Sequence, residues 1–145
     1  MEKREERYML IRIPSWLAIF LALLLPSAAF AQFCESLNSF SLPNVKVDRA
    51  KVVAAGSFSP SGGNPNSSRR YQDLPEFCRV LLTLTPTPDS DIKMELWLPT
   101  DNWNGKYLAV GNGAFTGNVR HSAMAMPLSR GYASSSTDTG HLGNT

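Results

Sequence analysis

The 145-residue sequence has few of the side chains that most catalytic sites need. It contains two histidines, two cysteines and no Gly-x-Ser-x-Gly motif, the sharp turn that presents a nucleophilic serine in many hydrolases. A complete Ser-His-Asp triad therefore cannot be assembled from these residues. Asp138 and His141 could form a metal pair or an acid–base pair, but zinc needs three or four ligands. We predict no metal and no cofactor.

The sequence also lacks an apolar run long enough to span a bilayer. Ile13 to Leu25 is strongly apolar, but at about a dozen residues it falls short of the ~20 that a transmembrane helix requires. Basic residues precede it, Pro26 breaks it, and Ala29-Phe30-Ala31 has the small-x-small form that signal peptidase accepts. We predict a signal peptide over residues 1–31, cleaved after Ala31. The alternative is a retained membrane anchor.

Strong charge of one sign is missing as well. The formal net charge is +2, and the basic leader supplies part of it. No cluster of Lys and Arg remains that could neutralise phosphates, so we predict no nucleic-acid partner. Arg69-Arg70 is a lone pair at the end of a polar surface loop, 57–70. Residues 32–145 form one small domain or part of a larger one.

Cys34 and Cys78 are the two cysteines. In an exported protein an even pair most simply forms one disulfide. The alternative is two free, buried thiols. With the leader, this pair indicates a secreted or periplasmic protein that has no membrane contact after cleavage.

The first half of the domain has the pattern of antiparallel strands. Residues 45–55 are β-rich, with a break in alternation around residues 49–51. Residues 79–85 alternate, a turn follows, and residues 92–98 alternate again with one wet face. The apolar positions of the second strand are Ile92, Met94, Leu96 and Leu98, and its polar-face positions are Lys93, Glu95 and Trp97. The two strands predict an antiparallel hairpin.

The second half has the pattern of a parallel βαβ unit. Tyr107 to Val110 predicts a short buried strand, and residues 119–128 have helical spacing with Val119, Ala123 and Met126 on one face and Met124 and Leu128 beside it. We expect Met124 and Met126 to fill the core. Gly131 stands where a helix C-cap is expected, and residues 132–136 predict a strand of small residues, suited to close packing at the centre of a sheet. A strand, a helix and a strand in about 30 residues predict two parallel strands joined right-handedly. The fold class is α/β.

Three glycines follow the first of these parallel strands within seven residues, at Gly111, Gly113 and Gly117. Such a loop turns sharply or is approached closely by other atoms, although hairpins and surface turns use the same residues. Further motifs accompany it in order: Trp97-Leu98-Pro99, Trp103-Asn104-Gly105-Lys106-Tyr107, Gly111-Asn112-Gly113 and Gly131-Tyr132-Ala133-Ser134-Ser135-Ser136-Thr137-Asp138-Thr139-Gly140-His141. Together they resemble the tannase and feruloyl esterase family of secreted α/β hydrolases, from about Cys34 to the last residue.

The resemblance implies the beginning of an α/β-hydrolase sheet, left incomplete. The family hydrolyses feruloyl, galloyl and similar esters of aromatic acids, so the implied partner is a small aromatic ester. Nucleophile, acid and catalytic histidine are expected downstream, which makes this chain inactive alone and leaves strand edges open. The implied oxyanion-hole donor is the backbone N–H of Ala114, with Gly113 as its neighbour. The family usually has glycine where Ala114 stands. A disulfide near the mature N-terminus also fits the family.

Other interpretations stay open. The chain could be a secreted non-catalytic module that binds a ligand or is structural. We expect Asp138 and His141 to hydrogen-bond the loop after the second parallel strand, and we expect His121 to be exposed. Aromatic side chains could stack on a substrate ring, but packing is the commoner use: Trp97, Trp103 and Phe115. The oligomeric state is not predicted.

Overall fold

The computed structural model describes residues 26–60 and 69–143, and the side chains from residue 31 onward. The predicted apolar core of the signal peptide, residues 13–25, lies outside the described residues. None of the helices within the described ranges combines the length and apolarity needed to cross a membrane. In chain order the helices and strands are α1 (Pro26–Ser36), β1 (Val45–Val53), β2 (Phe77–Leu84), β3 (Ile92–Pro99), β4 (Tyr107–Val110), α2 (His121–Ser129) and β5 (Ala133–Thr137), with short 3-10 segments at Leu37–Ser39 and Arg69–Tyr71.

The strands form one mixed sheet in the order β1-β2-β3-β5-β4. The predicted hairpin is confirmed, because β2 and β3 pair antiparallel from Phe77↔Pro99 to Leu84↔Ile92. The predicted parallel pair is also confirmed, since β4 lies beside β5 in parallel and α2 connects them. β5 is inserted between β3 and β4, so the hairpin and the βαβ unit share one continuous sheet. The α/β fold class is therefore confirmed.

The break predicted in the first strand is a register shift. β1 pairs antiparallel with β2, and the register shifts between Val47 and Arg49. The residue between them is Asp48, whose carboxylate accepts a hydrogen bond from the hydroxyl of Thr83. The extra residue places Ala50 on the buried side, which continues the strand after the irregularity.

β4 has the predicted bounds but not the predicted burial. Tyr107 is 55% exposed and Leu108 is 42% exposed. The reason is position: β4 is the outermost strand of the sheet, and among the described residues only β5 pairs with it. A continuous apolar run indicates burial on two faces only when the strand is central. The prediction of a buried strand is therefore wrong for the described structure.

α2 packs on one face of the sheet through Met124 and Leu128, which are fully buried. Met126 is 60% exposed, so its predicted place on the core face is wrong. Residues two apart on a helix point to opposite sides, whereas 124 and 128 share one side. The helix ends as predicted at Gly131, whose φ is +78° and whose N–H donates to Leu128 O.

Two apolar clusters lie on the two faces of the sheet. The cluster under α2 contains Phe58, which is 3% exposed although we expected a surface loop at residues 57–70. Arg69 and Arg70 at the end of that loop are exposed, as predicted. The opposite cluster contains the disulfide between Cys34 and Cys78, with a Cα–Cα distance of 5.6 Å. The predicted disulfide is therefore present in the structure.

Candidate functional site

The candidate site lies at the carboxyl ends of the two parallel strands. The glycine loop, residues 111–118, follows β4, and the segment we call the β5 loop, residues 138–143, follows β5. Because β4 and β5 are adjacent and parallel, the two loops leave the sheet side by side at the same edge. Open α/β sheets bind ligands at this edge.

Backbone contacts join the two loops. Gly117 N donates to Gly143 O at 2.7 Å, and Gly143 N donates to Gly117 O at 3.3 Å. A Cβ on Gly117 would lie 2.0 Å from His141 O, so only glycine permits this approach. A glycine-rich loop was expected either to turn sharply or to be approached closely by other atoms. At Gly117 the reason is close approach by another backbone segment.

Ala114 adopts a left-handed backbone conformation, with φ at 51°. It lies inside a tight turn in which Thr116 N and Thr116 Oγ1 both donate to Gly113 O, at 3.2 and 2.8 Å. Among the described residues, no acceptor is bonded to the backbone N–H of Ala114 or of Gly113. Both residues are exposed, so these two N–H groups are free to meet a ligand.

We expect Ala114→Gly to raise the free energy of unfolding by about 1 kcal/mol, because a left-handed conformation costs an L-residue roughly 1–2 kcal/mol that glycine does not incur. The measurement is the urea midpoint at constant slope. The matched control is Ala109→Gly, an exposed alanine in β4 at ordinary φ, which should lose roughly 0.5–1 kcal/mol. If both substitutions destabilise equally, Ala114 is not strained.

Asp138 organises the β5 loop from inside. Its side chain is buried, and Oδ1 accepts hydrogen bonds from the backbone N–H groups of Lys93 and Gly140, both at 2.9 Å. Its carbonyl accepts from His141 N at 3.4 Å. The ring of His141 then reaches the glycine loop, with Nε2 at 2.9 Å from Phe115 O. The structure thus brings together Asp138, His141 and the glycine loop.

Known proteins match this chain in sequence and in fold. A family model for tannase and feruloyl esterase matches residues 78–145. An uncharacterized esterase of Xanthomonas campestris is 38% identical over 118 residues, covering 81% of this chain and 20% of the relative. The crystal structure of feruloyl esterase B from Aspergillus oryzae superposes with a TM-score of 0.68 at 35% identity, covering 80% of this chain and 23% of that one.

The chain therefore matches the tannase and feruloyl esterase family in sequence and in fold. Another relative, feruloyl esterase C of Talaromyces stipitatus, is 32% identical over 119 residues, covering 80% of this chain and 22% of the relative. The chain therefore spans about a fifth of the length of the curated relatives it matches.

One polar cluster of the chain was not predicted. Glu95 is buried on the α2 side of β3, where Arg79 Nε donates to Oε2 at 2.8 Å and Trp97 Nε1 donates to Oε2 at 3.0 Å. His121 Nε2 lies 2.9 Å from Oε1, and its ring contacts Phe58 at 5.3 Å between centroids. The predicted wet face of β3 and the predicted exposure of His121 are both wrong.

The environment of Glu95 explains its ionisation. Burial alone would raise the pKa of Glu95, but the hydrogen bonds and charges of His121 and Arg79 outweigh it and lower the pKa to about 2. The cluster joins His121, the first residue of α2, to the hairpin through a hydrogen bond. α2 begins three residues after the glycine loop ends. The sequence did contain an indication of this cluster, because Arg79 and Glu95 fall on the same face of the predicted hairpin as Trp97.

The three aromatic side chains proposed for stacking have different environments. Trp97 is fully buried and packs on Phe58 and Phe77, each at 4.7 Å between ring centroids. Trp103 is 62% exposed and precedes β4, so it lies at the opposite end of that strand from the glycine loop. Phe115 is 80% exposed within the glycine loop. Of the three, only Phe115 lies at the edge of the sheet that carries the candidate site.

A cavity of about 900 Å³ lies at the other end of these strands. Asn102 and Gly131, which line it, precede β4 and β5 and so mark the amino ends of the parallel pair. The free N–H groups of the glycine loop are at the opposite edge, so this cavity is not part of the candidate site. Within the described ranges no group of three or more His, Cys, Asp or Glu side chains could hold a metal ion.

Proposed function

We propose that the protein to which this chain belongs hydrolyses carboxylic esters of aromatic acids, with feruloyl or galloyl esters as substrates. Similarity to the tannase and feruloyl esterase family supports ester hydrolysis, and two of the relatives reported above are named feruloyl esterases. The observation that carries the proposal within this chain is the pair of unbonded N–H groups at Gly113 and Ala114.

Those donors fit an oxyanion hole. Ester hydrolysis develops a negative charge on the former carbonyl oxygen, and fixed backbone donors stabilise that charge without reorganising. The left-handed φ of Ala114 turns the loop tightly, and the Thr116 bonds to Gly113 O keep it turned. One such donor contributes about 3 kcal/mol to transition-state stabilisation, provided that a nucleophile is present.

The remaining parts of the mechanism lie outside these residues. We propose a Ser-His-Asp triad carried by the rest of the protein, in which the serine attacks the ester carbonyl and the acyl-serine is then hydrolysed. Neither histidine of this chain is the base in this proposal, which places the base in the rest of the protein; His121 packs against Phe58 and Trp97, and His141 Nε2 is bonded to Phe115 O. Residues 1–145 alone are then inactive, and residues 32–145 are the first portion of the hydrolase domain.

The leader and the disulfide support export. We propose that residues 1–31 are removed and that the protein acts outside the cytoplasm, where Cys34 and Cys78 stay oxidised. α1 spans the proposed cleavage point after Ala31, so the mature chain would retain the part of the helix that carries Cys34.

The test is expression of the complete reading frame that contains this chain, followed by assay with methyl ferulate, methyl gallate and a non-aromatic methyl ester. We expect hydrolysis of an aromatic ester and covalent labelling of one serine by an aryl phosphonate, both absent from the 145-residue chain. A full-frame product that neither hydrolyses these esters nor reacts with the phosphonate contradicts the proposal. Saturable binding of the esters without turnover would instead indicate the non-catalytic ligand-binding module.

A further inference from the structure

We propose that His141 is a positioning residue that holds the oxyanion donors of the glycine loop in place. The inference rests on the function proposed above and adds to it a residue whose effect is transmitted through the loop. His141 does not touch the reacting atoms in this scheme. It acts through the carbonyl of Phe115, which is next along the chain to Ala114.

The contact fixes the proton on the imidazole ring. Phe115 O can only accept, so His141 Nε2, at 2.9 Å, must carry the hydrogen and donate. The other ring nitrogen, Nδ1, lies 3.2 Å from Thr139 Oγ1, whose hydroxyl donates to Asp138 O at 2.6 Å. The bond at Nε2 therefore sets the direction of the ring, with its N–H towards the glycine loop.

The histidine is anchored to the sheet. His141 N donates to Asp138 O, and the buried carboxylate of Asp138 accepts from Lys93 N in β3 at 2.9 Å. The path from β3 through Asp138 and His141 to Phe115 thus consists of hydrogen bonds, of which the one between His141 N and Asp138 O is the longest at 3.4 Å. It connects the glycine loop to the interior of the sheet.

The glycine loop has little else to hold it between its two ends. Asn112 secures the start, since its Nδ2 donates to Thr137 O at 2.9 Å, and the Gly117–Gly143 pair secures the end. Between them, the bond from His141 to Phe115 O is the only hydrogen bond in the described part of the chain that joins residues 113–116 to another segment. Gly113, Ala114 and Phe115 are exposed, so packing does not replace it.

Two amide substitutions distinguish the roles of the two ring nitrogens of His141. His141→Asn retains a polar group near the Nδ1 position but is too short to reach Phe115 O. His141→Gln extends an N–H to the Nε2 position and retains the bond. Leu142→Ala is the matched control, because Leu142 is the neighbouring residue and is 80% exposed. All three are made in the full-frame protein.

The first readout is hydrogen–deuterium exchange of a peptide covering residues 111–118, which needs no activity. We expect His141→Asn to exchange about fivefold faster there, as loss of one net hydrogen bond predicts, and His141→Gln and Leu142→Ala to match wild type. The second readout is kinetics with methyl ferulate. His141→Asn should lower kcat about a hundredfold with KM within about twofold, and His141→Gln should stay within about tenfold of wild type.

The outcomes separate the two proposals. Unchanged exchange in His141→Asn overturns the positioning role, and so does faster exchange with unchanged kcat. Equal loss of kcat in the Asn and Gln variants also overturns it, since the Phe115 bond would then not be the feature that matters. If His141→Asn exchanges faster than wild type but the wild-type protein hydrolyses no ester, the contact between the loops is supported and the proposed function is overturned.

Discussion

Replacing Glu95 with alanine should lower the free energy of unfolding by about 3–5 kcal/mol, the usual cost of removing one partner of a buried ion pair. The carboxylate is the common acceptor for Arg79, Trp97 and His121. Without it, the Arg79 guanidinium, whose side chain is 16% exposed, remains largely buried without an opposite charge. Urea unfolding followed by tryptophan fluorescence measures the change, because Trp97 is in direct contact with the carboxylate.

Two further variants test the cause of that loss. Glu95→Gln retains the shape but not the charge, and it should lose a smaller but measurable part of the stability. Glu35→Ala removes an exposed carboxylate on α1 and should change stability by no more than about 0.5 kcal/mol. If Glu95→Ala costs no more than Glu35→Ala, the buried pair contributes nothing.

The same carboxylate should make stability depend on acidity. Its folded-state pKa is about 2, below the ordinary value of 4.5. A lowered pKa contributes stability that is fully present above the ordinary value and is lost as the pH falls towards the folded value. The shift corresponds to on the order of 3 kcal/mol. Wild type should therefore lose this stability between about pH 4.5 and 2, and Glu95→Gln should lack that component.

Replacing both cysteines with alanine should lower the free energy of unfolding by about 4 kcal/mol, the loop-closure figure for a crosslink of this span. Cys34 and Cys78 are 44 residues apart in sequence, and the chain between them includes β1 and the loop at 57–70. Both cysteines are buried, so the crosslink also holds α1 against the sheet. Denaturant unfolding of the double variant measures the loss.

A reductant supplies the control for this prediction. Dithiothreitol should lower the stability of wild type by the same amount and leave the double variant unchanged. A reductant effect on both proteins would arise from something other than the disulfide. A double variant as stable as oxidised wild type would mean that loop closure is offset in the unfolded chain.

Local patterns predicted which segments form strands but not which faces are covered. The alternation in β3 correctly indicated a strand, and the small residues of β5 correctly indicated a central one. The side of β3 that carries Glu95 and Trp97 was expected to face solvent, because two of its three named residues are charged. Coverage by Phe58, from a distant loop, makes it the buried side. Such coverage depends on tertiary contacts that periodicity does not encode.

The candidate site was predictable to a similar extent. The glycines indicated a loop approached by other atoms. The family resemblance implied Ala114 as the oxyanion donor, a role that stays a prediction. The sequence also predicted that Asp138 and His141 hydrogen-bond near the end of β5. The contact of His141 with Phe115, however, joins residues 26 positions apart. It follows only from the parallel register of β4 and β5, which sets the two loops side by side.

The side chain of Asn38 has a consequence for how copies of this sheet could associate. Its amide donates to Ala50 O at 2.9 Å and accepts from Ala50 N at 2.7 Å, so at this one position on the outer edge of β1 it takes the place of a neighbouring strand. β4, at the far edge, has no such substitute among the described residues. A strand that approaches β1 would meet Asn38 at this position, whereas β4 of the described part presents an open edge. Where the rest of the protein leaves that edge uncovered, a contact between two β4 strands is self-complementary and ends at two copies.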